Sequence, residues 1–165
     1  MIKVIAEIGI NHESSIDIAK KLIDSAEISN CWAIKFQYRS FQNFYGSTNE
    51  IGDELIYDQL NMAYLSLKDI AELTIYAKKK KLKVGISFFT IEDFNEITSS
   101  KINFDFYKIP SAEFSNSKLV EKAKSTGKLL LLSTGGHTYK QIKKNIDVYD
   151  LESETVILHC TSNYP

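Results

Sequence analysis

Apolar positions along this chain fall into two alternating patterns. Residues 4–9, 33–37, 83–87, 106–109, 129–133 and 155–160 form short, mostly apolar runs. That is the pattern of strands covered on both faces in a parallel sheet. Between them, apolar residues recur at helical spacing. Ile16, Ala19, Leu22, Ile23 and Ala26 predict a helix over residues 15–29. Ser66-Leu67-Lys68-Asp69 reads as a helix start, and Ile70, Leu73, Ile75 and Ala77 carry that helix to Lys80. Further helices are expected over residues 92–99, 117–125 and 138–149, the second closed by Gly127 as a C′ glycine. Residues 38–65 break the rhythm. This aromatic and polar excursion is too long for an ordinary connection and marks a candidate functional segment. Tyr38, Phe41, Phe44 and Tyr45 are its candidates for covering a site or meeting a partner.

Alternating strands and helices imply a parallel sheet with helices outside. A doubly wound open sheet and a (β/α)8 barrel both fit. The first strand is followed by Gly9-Ile10-Asn11-His12, which is not the glycine-rich turn of a dinucleotide-binding sheet. Polar groups instead recur at strand ends: Glu7, Lys35, Lys108 and the Ser133-Thr134-Gly135-Gly136 turn. A charge inside an apolar strand costs several kcal/mol unless it is paired or wet. Its repetition implies one shared site at one face, as at the mouth of a barrel. The expected class is therefore α/β, of the (β/α)8 TIM-barrel type. Such a barrel takes eight strands and typically about 250 residues. This chain of 165 residues supplies six strands. The expectation is an incomplete barrel of about six strand-helix units, one domain over residues 1–165.

Composition narrows the function classes. The chain is 44% hydrophobic and 25% charged, as ordinary globular proteins are. Its 20 Lys and Arg nearly balance 21 Asp and Glu, so there is no overall field for nucleic acid or an anionic membrane. No apolar run approaches the roughly 20 residues that span a bilayer. The two cysteines, Cys31 and Cys160, make no disulfide framework. A reduced, cytoplasmic protein is expected, with neither nucleic acid nor membrane as partner.

Five motifs then stand in order: Ala6-Glu7-Ile8-Gly9-Ile10-Asn11-His12, Lys35-Phe36-Gln37, Tyr107-Lys108-Ile109-Pro110-Ser111-Ala112-Glu113, Leu132-Ser133-Thr134-Gly135, and His159-Cys160-Thr161-Ser162-Asn163-Tyr164-Pro165. Together they resemble the N-terminal barrel domain of the sialic acid synthase family, which includes N-acetylneuraminate, legionaminate and pseudaminate synthases. The resemblance implies condensation of phosphoenolpyruvate with an N-acyl hexose such as N-acetylmannosamine. The product is a nine-carbon 2-keto sugar acid plus phosphate, a nonulosonate. It further implies Lys35 and Lys108 as cations for the substrate's phosphate and carboxylate, with Ser111, Ser133, Thr134 and Gly135 beside the same anion. Gln37, Ser87, Thr161, Ser162 and Tyr164 complete the implied substrate-binding set. Glu7 and Glu113 match the acidic positions that hold sugar hydroxyls near the reacting carbonyl, and one of them is the candidate for proton transfer. The resemblance also implies a divalent metal, Mn2+ or Mg2+, in the complete enzyme. Its histidine ligands are expected beyond the sixth strand and outside this chain. A homodimer closed by an antifreeze-like C-terminal domain, absent from this chain, is implied as well.

Plainer readings stand beside these. Glu7 and Lys35 fit a structural ion pair across neighbouring strands as well as a site. Lys108 also suits an imine-forming lysine. His12 and His159 are expected in packing or hydrogen bonding, His137 in an exposed loop, and Lys78–Lys81 at a solvated helix end. Two positions depart from the family pattern. Ser14 replaces a usual glycine and is expected as a helix N-cap. Phe88 replaces a hydroxyl residue, leaving Thr90 to reach back toward the anion. A non-catalytic remnant that binds a sugar or anion, or a fragment completed by a partner, is the alternative function.

Overall fold

A computed structural model describes residues 2–40, 62–149, 151 and 154–161. Six strands follow one another across one sheet: β1 (Ile5–Gly9), β2 (Ala33–Gln37), β3 (Lys83–Ser87), β4 (Phe106–Ile109), β5 (Leu129–Ser133) and β6 (Thr155–Leu158). Every neighbouring pair is parallel. The intervening helices are α1 (Ile16–Ile28), α2 (Leu67–Lys79), α3 (Ile91–Ser99), α4 (Ser117–Lys124) and α5 (Tyr139–Tyr149). Among the described residues the sheet is not closed, and β1 and β6 are its edges. This is the expected incomplete barrel. Among the described residues no helix is long and apolar enough to cross a membrane.

The period-two alternation of a strand explains how one sheet carries both a core and a site. Ile8, Ile34, Phe36, Val84, Ile86, Tyr107, Ile109, Leu130 and Leu132 belong to the main core, with buried helix residues such as Ala19, Ile23, Ile70, Leu73, Leu119 and Val120. The alternate positions form a second, smaller cluster. There Ala33, Phe106 and Leu131 are buried, with Ile5, Trp32, Leu129 and Leu158 packed around them. Trp32 stacks on Phe106 at 5.7 Å between centroids. Gly85 makes room for that ring, since a Cβ there would lie 2.1 Å from it. Two residues further along the same alternation, the apolar side chains give way to Glu7, Lys35, Ser87, Lys108 and Ser133. The inner face is thus apolar toward the amino ends of the strands and polar toward their carboxyl ends.

Local signals set the helix starts. Ser66 and Thr90 form capping boxes with Asp69 and Asp93, and Asn116 accepts from the Leu119 N–H. Asp93 is fully buried, and its carboxylate also accepts from the backbone N–H of Ser40 and Phe89. Helix α1 is capped by Ser15, which accepts from the Ile18 N–H. This corrects the expectation for Ser14, which instead has φ +58°, after Glu13 at +49°. A glycine suits that left-handed position because it has no Cβ to clash. Buried His12 organises the turn, accepting from the Ser14 N–H through Nδ1 at 3.2 Å. Burial lowers its pKa below 6.5, against a hydrogen bond to the Gly9 backbone.

The ends differ slightly from expectation. Val4 lies outside β1, although its carbonyl accepts from the N–H groups of Trp32 and Ala33. Strand β6 stops at Leu158, so His159 and Cys160 leave the sheet. Gly127 is left-handed at φ +67°, one residue beyond the C′ position expected for it. Lys80 is not simply solvated, because it pairs with Asp24 at 3.0 Å and Glu27 at 2.7 Å.

Candidate active site at the carboxyl ends of the strands

Strand register places Glu7 beside Lys35, Gln37 beside Ser87, and Ser87 beside Lys108. Lys35 is 3% exposed, and each of its three donors has an acceptor. Its Nζ lies 2.8 Å from Glu7 Oε2, donates to Ser87 Oγ at 2.6 Å, and reaches the Phe36 carbonyl at 3.3 Å. Burial pushes the Lys35 pKa down, opposed by the charge and hydrogen bond of Glu7. The cross-strand ion pair therefore exists, and it stands in the polar mouth.

Lys108 is half-buried. Its ammonium makes no hydrogen bond or ion pair among the described residues. Burial lowers its pKa first, and the nearby charge of Lys35 lowers it further, against Glu7 and Cys160. Among the described residues, Glu7 thus pairs with one ammonium and acts on the second through its field.

The turn after β5 adds dipolar donors. Ser133 is buried. Thr134 donates to the Leu158 carbonyl through both N–H (3.2 Å) and Oγ1 (2.9 Å), so its side chain is committed to β6. The Gly135 N–H donates to Ser111 Oγ at 2.9 Å. Ser111 opens the single 3-10 turn Ser111–Glu113 after β4. Cys160 completes this group, with its Sγ 3.5 Å from the Leu158 carbonyl. Burial pushes the thiol up, but hydrogen bonds from Ser133, the Thr134 backbone, Ser111 and the Gly135 backbone outweigh it, and its pKa falls below the ordinary 9.0.

Glu113 sits apart from the lysine pair. It accepts from Asn116 Nδ2 at 3.0 Å and lies within the electrostatic reach of Arg39. Burial lowers the Arg39 pKa, with Asp93 and Glu113 opposing, and its guanidinium packs over the Phe89 ring at 4.7 Å. Gln37 is half-buried at the end of β2, while Thr161 is exposed beyond β6. Ser162, Tyr164, Phe41, Phe44 and Tyr45 lie outside the described residues. Tyr38 is buried, donating to Glu96 at 2.5 Å. Arg39 and Cys160 escaped the sequence reading as site residues. The signal for Cys160 was its place inside the last motif; Arg39 follows the Lys35-Phe36-Gln37 motif with no periodic mark of its own.

The NeuB family model matches residues 22–165. The chain belongs to the NeuB family. An uncharacterized protein of Methanocaldococcus jannaschii is 32% identical to it, over 98% of this chain and 47% of that protein. The N,N'-diacetyllegionaminic acid synthase of Campylobacter jejuni is 29% identical, over 98% of this chain and 52% of the synthase. Among solved structures, the N-acetylneuraminic acid synthetase of Leptospira borgpetersenii, in complex with citrate, aligns with a TM-score of 0.85. That alignment has 25% identity and covers 99% of this chain and 55% of the other. The chain spans about half the length of the curated relatives it matches.

Several side chains of this NeuB-family chain stand differently from expectation. Phe88 is fully buried against Phe94 and Tyr107 and is a core residue. Thr90 does not reach back toward the anion, because its hydroxyl caps α3 by accepting from the Asp93 N–H at 3.0 Å. His137 is half-buried rather than a loose loop residue. Its Nδ1 lies 3.0 Å from the Gly135 carbonyl, its Nε2 3.2 Å from Ser115 Oγ, and its ring meets Phe114 edge-on. His159 is exposed. Among the described residues, no group of three or more His, Cys, Asp or Glu is placed to hold a metal ion. Glu7 is held by an ammonium and His12 by backbone groups, so these residues do not fit a divalent metal.

Proposed function

We propose that this chain forms the phosphoenolpyruvate-binding half of a nonulosonate synthase, which condenses that substrate with an N-acyl hexose into a nine-carbon 2-keto sugar acid and phosphate. The observation that carries the reading is the Lys108 ammonium beside the Glu7–Lys35–Ser87 cluster, with no hydrogen bond or ion pair among the described residues. A small dianion brings negative charge to the Lys35 and Lys108 ammonium groups. Lys108 meets it as a point-charge donor, and Lys35 can exchange the Ser87 hydroxyl or the Phe36 carbonyl for a substrate oxygen. Ser111, Ser133 and the Thr134–Gly135 backbone supply hydrogen-bond donors on the β5 side. Glu7 Oε1 and the Glu113 carboxylate accept from sugar hydroxyls, and Glu7 stands nearest the ammonium pair for a proton transfer. No step is routed through a metal, since the described residues do not form its site. The subunit pairing implied by the family resemblance belongs to the same proposal.

Calorimetric titration with phosphoenolpyruvate tests this. Weak binding that falls as salt rises is expected. Lys108→Ala should weaken it by about 1–3 kcal/mol, the scale of a charge-assisted hydrogen bond. Equal binding by both proteins would make Lys108 structural and overturn the placement of the anion. The second reading is a unit that binds the anion without turnover. Mass spectrometry for the nine-carbon acid, with N-acetylmannosamine and manganese supplied, separates the two. Borohydride with pyruvate labels Lys108 only if that lysine forms an imine.

A further inference from the structure

The turn after β5 is held from one side by His137. Its backbone N–H donates to the Thr134 carbonyl at 3.2 Å, which closes a four-residue turn over residues 134–137. Gly136 takes φ +75° at the third position, as a type II turn requires. Types I and II differ by a flip of the central peptide, and glycine on both sides of it leaves neither arrangement sterically barred. The His137 ring decides between them. Its Nδ1 lies 3.0 Å from the Gly135 carbonyl. A carbonyl only accepts, so Nδ1 carries the ring proton. In the neutral imidazole Nε2 is then the acceptor, and it lies 3.2 Å from Ser115 Oγ. Ser115 donates there while accepting from Asn145 Nδ2 at 3.1 Å. Donation thus runs in one direction, from Asn145 on α5 through Ser115 and the ring to the Gly135 carbonyl. The ring also meets buried Phe114 edge-on, 5.0 Å between centroids. Packing on Phe114 alone would select no tautomer.

We infer that His137 is a positioning residue for the anion subsite: by donating from Nδ1 to the Gly135 carbonyl it locks the turn after β5 in the arrangement that sets the Gly135 N–H against Ser111, and so fixes the backbone donors that meet the phosphate or carboxylate of the substrate. This inference rests on the proposed function and deepens it. Gly135 is clamped on both flanks, since its N–H donates to Ser111 Oγ at 2.9 Å and its carbonyl accepts from the ring. Glycine is the residue with most conformational freedom to lose. Donors fixed in advance spend no binding energy on ordering the turn. His137 acts through Gly135 and needs no contact with the substrate.

Two substitutions separate positioning from packing. In His137→Asn the side-chain amide nitrogen stands at the place of the ring Nδ1 and still donates to the Gly135 carbonyl. In His137→Gln the terminal amide reaches the place of Nε2 beside Ser115, and the donor to Gly135 is lost. Both remove the ring from Phe114, so packing alone predicts equal losses. Calorimetric titration with phosphoenolpyruvate should find His137→Gln weakened about five- to tenfold, the worth of one hydrogen bond. His137→Asn should bind within about twofold of the unmodified protein. Nitrogen-15 NMR of the unmodified protein in alkaline buffer should show the ring proton on Nδ1 and none on Nε2. Equal affinities of the two folded variants, an Asn variant weaker than the Gln variant, or a ring proton on Nε2 each overturn the inference and leave the proposed function standing. The NMR result decides even where a variant does not fold. Absence of calorimetric binding by the unmodified chain overturns the proposed function, and this inference with it.

Discussion

Removing the carboxylate from the Glu7–Lys35 pair should cost more stability than removing the ammonium, although the ammonium is the buried partner. The Lys35 side chain is 4% exposed and that of Glu7 51%. In Glu7→Gln, a buried ammonium loses its compensating charge. A charge stripped of its partner costs about 3–5 kcal/mol in a dry core. The Ser87 hydroxyl and Phe36 carbonyl remain as acceptors and the mouth is open to water, so a loss of about 2 kcal/mol is expected. In Lys35→Met the charge itself disappears, and with it a desolvation penalty of several kcal/mol. Glu7 returns to water. The lost hydrogen bonds, about 1.5–3 kcal/mol each for charged groups, roughly offset that relief. Lys35→Met should stay within about 1 kcal/mol of wild type. Urea unfolding followed by circular dichroism measures both, compared at equal slope. If Lys35→Met proves the more damaging by more than about 1 kcal/mol, the pair is a stabilising element and Lys35 needs no ligand to explain it. The pH dependence gives a second reading. The folded Lys35 pKa is depressed below 10.5, so its contribution is present above 10.5 and lost as pH falls through the folded value. Wild-type stability should rise through that alkaline window relative to Lys35→Met.

Other positions give independent checks. Ser15→Ala should cost about 1 kcal/mol through loss of the α1 cap, whereas Ser14→Gly should be neutral or stabilising by up to about 1 kcal/mol as the left-handed strain is relieved; thermal melts that rank them the other way would refute the turn geometry. Gly85→Ala should destabilise by about 1–3 kcal/mol, because its Cβ collides with a Phe106 ring already stacked on Trp32; an unchanged urea midpoint would mean that the inner floor is loosely packed. For His12, the folded pKa lies below 6.5, so its contribution is present above 6.5 and lost as pH falls through the folded value. His12→Gln should unfold with a shallower acid dependence in that range, and an unchanged acid transition would show that His12 does not titrate on unfolding.

The elements were legible because each obeys a local rule. The strands at 33–37, 83–87, 106–109 and 129–133 are where continuous apolar runs place them, and Ser66 caps its helix as the capping box requires. Contacts that depend on where a side chain ends were not legible. Thr90 looks like an anion ligand in sequence, but its hydroxyl serves the backbone three residues on. Glu113 shares a motif with Lys108, yet its carboxylate accepts from Asn116 within the turn after β4. The Gly135 N–H and the Ser111 hydroxyl come from two strand ends, and no spacing within one strand reveals that they meet. The first four motifs converge at the candidate site, and register and turn geometry decide which groups touch.

The strands lie in the sheet in the order in which they occur in the chain. Each one therefore docks against a partner already made when a ribosome delivers the chain from its amino end. No strand waits for a distant segment, and loop closure spans a single strand-helix unit at each step. The Glu7–Lys35 pair can form once β2 is in place, whereas the bonds from Thr134 to the Leu158 carbonyl must wait for β6. Vectorial synthesis would thus assemble the charged corner of the mouth before its hydroxyl-lined corner, the last part of the described sheet to acquire its shape.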